Sequence, residues 1–189
     1  MKCCSHMRIK VSFGFCAMVC LLAWLNARLC IWFLASILCH ELGHLLALRL
    51  CRAVLEGISL EMAGAVIQTS LAGYRQEILC AAAGPAANCL LGAAVLRLQP
   101  QLAVISLLLA AVNLLPLYPL DGGRILRAAL LLLHCSQEKA ERILHVVTVG
   151  VCCILMVLAC WITVELQAGL WPIFAALILL WRAGEREKP

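Results

Sequence analysis

The sequence predicts an all-α polytopic membrane protein, with about six transmembrane helices and a short β-hairpin or re-entrant segment between the second and third. Of its 189 residues, 65% are hydrophobic and 13% are charged, whereas a soluble domain is nearer half apolar and a quarter charged. The apolar residues also form long stretches, which is typical of helices that cross a bilayer. A chain of this length predicts a single membrane domain over residues 1–189, with no PDZ domain and no nucleotide-binding regulatory domain.

Six apolar stretches form the basis of the predicted spans. The second, third and fifth approach the roughly 20 residues that a spanning helix needs, and the other three are shorter. The first follows a basic start but lacks a clear small-x-small cleavage site, so we interpret it as an uncleaved anchor. The predicted spans are Val11–Leu25, Leu29–Leu48, Ile78–Leu96, Leu102–Leu115, Ile143–Val164 and Leu166–Trp181.

The basic residues predict the orientation of these helices. Six spans put both termini on one side of the membrane. If that side is the cytoplasm, Arg28 and Arg97 are the only two of the 15 basic residues outside cytoplasmic segments. The positive-inside rule therefore predicts a multi-pass cell-membrane protein with cytoplasmic termini. The net charge of +5 comes from scattered residues that form no stripe, so we expect no nucleic-acid partner.

The segment 54–70 is the least helical part of the core. It contains β-branched residues, two glycines and partial alternation of apolar and polar residues, which predicts a hairpin or re-entrant sheet at the cytoplasmic face. An edge strand there could pair with an unwound substrate segment by β-addition. A plain hairpin that connects two spans is the alternative, and the residues leave both open.

The thirteen cysteines include no C-x-x-C pair and show no framework spacing. A structural zinc finger and a disulfide scaffold are therefore not expected, and we interpret the cysteines as small hydrophobic residues of a membrane core.

The most informative motif is His40-Glu41-Leu42-Gly43-His44, which lies inside the apolar run Leu29–Leu50. Histidines four residues apart share one face of a helix, so both imidazoles can reach one zinc ion. The intervening glutamate then lies beside the water that the metal activates. Ionisable groups are costly in hydrocarbon, and their presence within an apolar run indicates a functional site.

The predicted third ligand is Asp121, the only aspartate of the chain, within the later segment Asn113–Arg124. Two prolines in this segment break a helix, and a Gly-Gly pair permits a sharp turn. A catalytic zinc takes three protein ligands and keeps one position open. The alternative role for Asp121 is to cap the helix predicted at Gly122–His134, and the two roles are compatible. The other candidates for third ligand are His134, His145 and Glu61.

Together, these two motifs resemble the signature elements of the site-2 protease family of intramembrane zinc metalloproteases. The stretch Ala83–Asn88 (AGPAAN) is similar to the family's A-G-P-x-x-N element in the third span. The short layout resembles the subgroup that contains stage IV sporulation protein FB. The motif resemblance covers about residues 29–130, which we take as the catalytic core.

The resemblance implies a role for each residue of the two motifs. His40, His44 and Asp121 correspond to the ligands of one zinc ion per chain, and Glu41 corresponds to the catalytic base. Asn113 matches an asparagine that steadies the substrate or the oxyanion. In the third span, the small residues of 81–87 predict close helix packing. For Asn88, packing and a hydrogen bond to the active-site loop are both open.

The expected activity is hydrolysis of peptide bonds in membrane-associated proteins near the cytoplasmic face, including sporulation-type processing of a pro-factor. The lipid bilayer, the substrate and a regulatory membrane protein are the expected partners. The rivals are a non-catalytic zinc-binding membrane protein or transporter, and a membrane peptidase of the prenyl-protein type. A transporter would need ionisable ligands spread along a path, whereas one cluster is visible in this sequence.

Overall fold

The computed structural model describes residues 9–11, 19–20, 23–24, 26–51, 54–61, 64–70, 73–117, 119–165 and 177. The chain divides into two compact units, residues 1–112 and 113–189. Within the described residues the elements, in chain order, are strand β1 (Ile9–Val11), helix α1 (Ala27–Leu50), strands β2 (Val54–Glu61) and β3 (Gly64–Ser70), and helices α2 (Tyr74–Val95), α3 (Pro100–Asn113), α4 (Asp121–Leu132) and α5 (Gln137–Glu165).

The predicted six-span layout is wrong for the part of the chain that the structure describes. Three helices there, α1, α2 and α5, are long and apolar enough to cross a membrane. The fourth predicted span forms α3, which has 14 residues and falls short of the roughly 20 that a straight crossing needs. The first and sixth predicted spans lie mostly outside the described residues.

The strands between α1 and α2 belong to a larger sheet than the short hairpin that the sequence predicts. Strands β2 and β3 pair antiparallel, with Val54 opposite Ser70 and a register irregularity between Leu55 and Gly57. Strand β1 adds to β2 in parallel, with Ile9 opposite Ile58. The result is a three-stranded mixed sheet in the order β1-β2-β3. The helices agree with an α-helical membrane protein. The short hairpin is incorrect as predicted, because a third strand extends it and local periodicity carries no information on so distant a pairing.

Helix α1 begins with a side-chain cap and buries one narrow stripe. The Asn26 side-chain oxygen accepts hydrogen bonds at 3.1 Å from the backbone N–H groups of Arg28 and Leu29, which satisfies two donors of the first turn. Four buried residues follow at intervals of four, and large apolar residues on other faces stay exposed, as lipid-facing residues do. The buried residues of this stripe are Ser36, His40, His44 and Leu48.

Small residues let α2 approach α1 closely, as the sequence predicts. A Cβ added at Gly43 would lie 2.6 Å from the Ala83 carbonyl oxygen and 2.8 Å from the Ala87 Cβ. Because such distances are too short for any side chain, the crossing depends on glycine in α1 opposite alanines in α2. A buried hydrogen bond of 3.0 Å between the hydroxyls of Ser36 and Ser106 joins α1 to α3.

In the second unit, α4 begins at Asp121, one residue earlier than predicted. Leu120 occupies the capping position, and no side chain caps this helix. The capping alternative for Asp121 is therefore wrong, and the residue lies in the first turn instead. Helix α4 ends at Leu132, after which His134 adopts φ 61°. Its Arg127 forms an ion pair of 3.7 Å with Glu141 of α5.

Candidate metal centre

Helix α1 brings the two histidines of the HELGH motif together. His40 and His44 are 5% and 7% exposed, and the distance between their Nε2 atoms is 3.1 Å. The rings meet edge to face, with centroids 4.7 Å apart and planes at 87°. Both Nε2 atoms thus face the same buried point, which agrees with the one-turn spacing predicted from the sequence.

The outer nitrogen of each ring contacts a partner on α2. His44 Nδ1 lies 2.7 Å from the backbone carbonyl oxygen of Cys80. His40 Nδ1 lies 3.3 Å from Nδ2, the side-chain amide nitrogen of Asn88, a residue that is fully buried. Metal-binding histidines usually donate their second ring N–H to such a partner, which fixes the ring's orientation and tautomer. The Cys80 carbonyl accepts from His44 as such a site requires, whereas Asn88 turns the donor end of its amide toward His40.

Gly84 makes room for both rings. A Cβ added at this position would overlap His44 Nε2 and would lie 2.6 Å from His44 Cε1 and 2.9 Å from His40 Cε1. Cys80, Gly84 and Asn88 succeed one another at intervals of four, so they lie along one face of α2. This face, residues 80, 84 and 88, supports the two imidazoles from one side.

Glu41 follows His40 on α1 and is partly buried. One residue of an α-helix turns about 100°, so its carboxylate leaves the helix on the neighbouring face rather than beside the paired rings. The position is suited to a base that acts on water at the site, as the motif predicts.

The second unit contains the other residues predicted for the site. Asp121, at the start of α4, is 7% exposed, and its Oδ1 lies 3.7 Å from the Arg124 guanidinium. Gly122 permits the preceding turn, because a Cβ there would overlap the carbonyl oxygens of Leu114 and Leu115. Asn113 is the last residue of α3.

Two of the three alternative third ligands are poorly suited to a buried metal. His134 and His145 are both exposed, and His134 lies just beyond the end of α4. Glu61 is the last residue of β2. Asp121 is buried, and a carboxylate with two imidazoles is a donor set that zinc takes in catalytic sites.

Asn88 makes a contact with His40 that the sequence did not predict. The motif suggested packing or a hydrogen bond to the active-site loop, whereas the amide contacts a histidine of α1. The spacing of residues 80, 84 and 88 was a signal that they share a face. Which helix lies against that face depends on tertiary packing, which the spacing does not encode.

Comparisons with known proteins show which family the chain resembles. Residues 94–158 match the family model of peptidase family M50, a range that contains Asn113 and Asp121 and follows the two histidines. In an alignment 190 residues long, the chain is 32% identical to a Mycobacterium tuberculosis protein that is named as zinc metalloprotease Rip3. The alignment covers 86% of this chain and 47% of Rip3. These matches confirm the resemblance to peptidase family M50 that the motifs predict.

Two further matches come from Methanocaldococcus jannaschii. The chain is 31% identical to zinc metalloprotease MJ0392 over 117 residues, covering 55% of this chain and 34% of that protein. The solved site-2 protease of this organism has the same fold, with a TM-score of 0.72 at 23% identity over all of this chain and 94% of the other.

The M50 matches confirm the resemblance to site-2 proteases and make zinc the family's metal. The apolar helices agree with a membrane protein. The sporulation subgroup stays a prediction. The chain spans about half the length of Rip3, with 47% of that protein covered.

Proposed function

We propose that this chain is a zinc metalloendopeptidase that hydrolyses peptide bonds of membrane-associated proteins. The observation that carries the proposal is the buried His40–His44 pair, with 3.1 Å between the two Nε2 atoms. Both outer ring nitrogens are engaged by α2 at 2.7 and 3.3 Å. Two imidazoles oriented in this way suit a divalent metal, and the neighbouring Glu41 supplies the base that hydrolysis requires.

We assign His40, His44 and Asp121 as the ligands of one zinc ion. All three are buried, and each offers one ligand atom. Two imidazoles and one carboxylate leave the fourth position of a tetrahedral zinc open for water or substrate. The assignment of Asp121 rests on its donor chemistry, on its burial and on the motif that surrounds it.

In the proposed reaction, a bound zinc would lower the pKa of its water to about 7 and polarise the scissile carbonyl. Glu41 accepts the proton of the attacking water as the new C–O bond forms. It returns this proton to the nitrogen of the leaving amine as the C–N bond breaks. The side-chain amide of Asn113 donates a hydrogen bond to the carbonyl oxygen as negative charge develops there.

The proposed substrates are membrane proteins whose helices unwind near the cytoplasmic face. A closed helix hides its carbonyls, so a scissile bond must lie where helix-destabilising residues expose the backbone. Arg49 lies in the last turn of α1, and the positive-inside rule places such a helix end in the cytoplasm. His40 and His44 then lie nearer that face. Cytoplasmic termini, a regulatory membrane partner, sporulation-type processing and the single-domain core at 29–130 remain predictions.

The experiment compares wild-type protein with the Glu41→Gln variant, each co-expressed with candidate single-span membrane proteins. We expect a cleaved fragment with the wild type, a rate about 10²–10⁴-fold lower with the variant, and equal zinc content in the two purified proteins. Glu138→Gln is the matched control, because this exposed acid lies in the first turn of α5.

Two outcomes would contradict this proposal. Cleavage by Glu41→Gln at the wild-type rate would remove Glu41 from the mechanism. Zinc binding by the wild type with no cleavage of any substrate tested would favour the non-catalytic zinc protein or transporter.

A further inference from the structure

We infer that Asn88 is a positioning residue that sets the tautomer of His40, with its side-chain carbonyl accepting a hydrogen bond from His40 Nδ1–H. The inference deepens the metal site and rests on the proposed function. It starts from the 3.3 Å distance between His40 Nδ1 and the amide nitrogen Nδ2 of Asn88, across the interface between α1 and α2.

The chemistry of a neutral imidazole explains why the partner matters. One ring nitrogen has the proton and the other has a lone pair. A ring that binds a metal through Nε2 must therefore keep its proton on Nδ1. The partner of Nδ1 favours this tautomer if it is a hydrogen-bond acceptor and opposes it if it is a donor.

The two histidines differ in this respect. The partner of His44 Nδ1 is the Cys80 backbone carbonyl at 2.7 Å, which can only accept. That contact places the proton on Nδ1 and leaves the Nε2 lone pair to the metal. The partner of His40 is a side-chain amide, which offers an acceptor at one end and two donors at the other. The tautomer of His40 therefore depends on the end that Asn88 presents.

The structure places the nitrogen end of the Asn88 amide toward the ring, which suits the tautomer with the proton on Nε2, so zinc binding through Nε2 requires the other orientation. The residue is fully buried, and among the described residues its Oδ1 has no hydrogen-bond partner. A half-turn of the amide about its Cβ–Cγ bond therefore breaks no other hydrogen bond of Oδ1 and brings this oxygen to Nδ1. The oxygen-facing orientation matches the role of the Cys80 carbonyl, so both imidazoles then direct a lone pair at the same point.

Gly84 completes this geometry, because a Cβ there would lie 2.9 Å from His40 Cε1. The ring edge thus contacts backbone at residue 84, while its Nδ1 contacts Asn88 one turn further along α2. We conclude that α2 fixes both the position and the proton of His40.

The test measures zinc affinity by chelator competition and records the visible spectrum of the cobalt-substituted protein in detergent. Asn88→Leu removes both hydrogen-bonding ends at similar volume, and Asn88→Asp keeps acceptors only. We expect Asn88→Leu to bind zinc about 10–100-fold more weakly and to change the cobalt bands. Asn88→Asp should stay within about threefold of the wild type or bind zinc more tightly, because carboxylates also serve as partners of ligating histidines.

Ser106→Ala is the matched control for a simple packing defect, since Ser106 is equally buried and loses a hydrogen bond to Ser36. This variant should keep wild-type zinc affinity and cobalt bands. If Asn88→Leu yields no folded protein, Asn88→Ala is the second acceptor-free variant and has the same expected result.

Two results would overturn the inference. The first is wild-type zinc affinity in Asn88→Leu or Asn88→Ala, and the second is an Asn88→Asp affinity as low as that of the acceptor-free variants. Failure of the proposed function has a different signature. If zinc affinity depends on Asn88 but the wild type cleaves no substrate, only the protease function is overturned. If the wild type cleaves substrate but its zinc affinity does not depend on Asn88, only the positioning role is overturned.

Discussion

The two regions that contain the metal-binding candidates hold these side chains in place in different ways. In the first unit, His40 and His44 lie on a regular helix, and contacts from α2 at 2.7 and 3.3 Å hold their outer nitrogens. In the second, Asp121 follows an irregular segment and begins a new helix. The first region depends on packing between helices and the second on a backbone turn, so substitutions should affect the two in different ways.

Glycine illustrates the difference. Gly84 leaves space for two imidazole rings, so an added methyl group would compete with side chains. Gly122 leaves space for the carbonyl oxygens of Leu114 and Leu115, so an added methyl group would compete with the backbone of its own segment. A side chain can shift by rotation, whereas a backbone carbonyl moves only if its segment moves.

The largest effect is expected from Asp121→Ala, which tests whether the second region contributes a ligand. We predict a loss of zinc affinity of more than about 100-fold, because even partners of the ligands contribute roughly 10–100-fold. The measurement is chelator competition on purified protein. The control is Glu141→Ala, which removes a half-exposed acid of the same unit and its 3.7 Å ion pair with Arg127. Unchanged affinity in Asp121→Ala would give the third position to another residue.

A second prediction contrasts Gly84→Ala with Gly122→Ala. Each added methyl group overlaps neighbouring atoms, and overpacking costs about 1–3 kcal/mol of unfolding free energy. We expect Gly84→Ala to lower zinc affinity by about tenfold or more, since the rings that must move are the ligands themselves. Gly122→Ala should lower stability more, because its neighbours are backbone atoms. Both quantities are measured by denaturant titration and metal competition.

Gly150→Ala is the control for this contrast. An added Cβ there has no neighbour within 4 Å among the described residues, and alanine is favoured over glycine within a helix by roughly 0.5–1 kcal/mol. This variant should be at least as stable as the wild type. Equal behaviour of all three variants would refute the view that the two regions are tightly packed around these glycines.

The smallest effect is expected at the Ser36–Ser106 hydrogen bond, which joins α1 to α3 within the first unit. A double-mutant cycle with Ser36→Ala and Ser106→Ala should give a coupling energy of about 0.6 kcal/mol and no more than ~1.7 kcal/mol, the range for such bonds between membrane helices. Zinc affinity should not change. Strictly additive effects on unfolding would show that the two hydroxyls do not interact.

The sequence was most informative where one helix contains all the necessary residues. The spacing of His40 and His44 predicted their shared face without knowledge of any neighbour. Asn88 and Cys80 were not predicted as partners of these rings, because their contacts depend on how α2 lies against α1. For Asp121, residue type and motif supported a ligand role, whereas the start of its helix was misplaced by one residue.

The membrane layout was predicted less well, for physical reasons. Hydropathy detects apolar length, so it identified α1, α2 and α5. It also extended the fourth span to Leu115, although α3 ends at Asn113 before the proline-containing segment. Polar residues in the first turns of α5 hid its start at Gln137. The pairing of β1 with β2 joins residues almost fifty positions apart, beyond any local pattern.

Helix α1 has an exposed apolar face and a buried face along the same length. The leucines at positions 38, 42 and 46 are 61%, 54% and 61% exposed, whereas the neighbouring stripe points inward and includes both imidazoles. Substitution of these leucines by other aliphatic residues should therefore leave the metal chemistry unchanged, because their side chains lie on other faces than the imidazoles. The lipid-facing side of this helix can thus change while the side that contains the two imidazoles is retained.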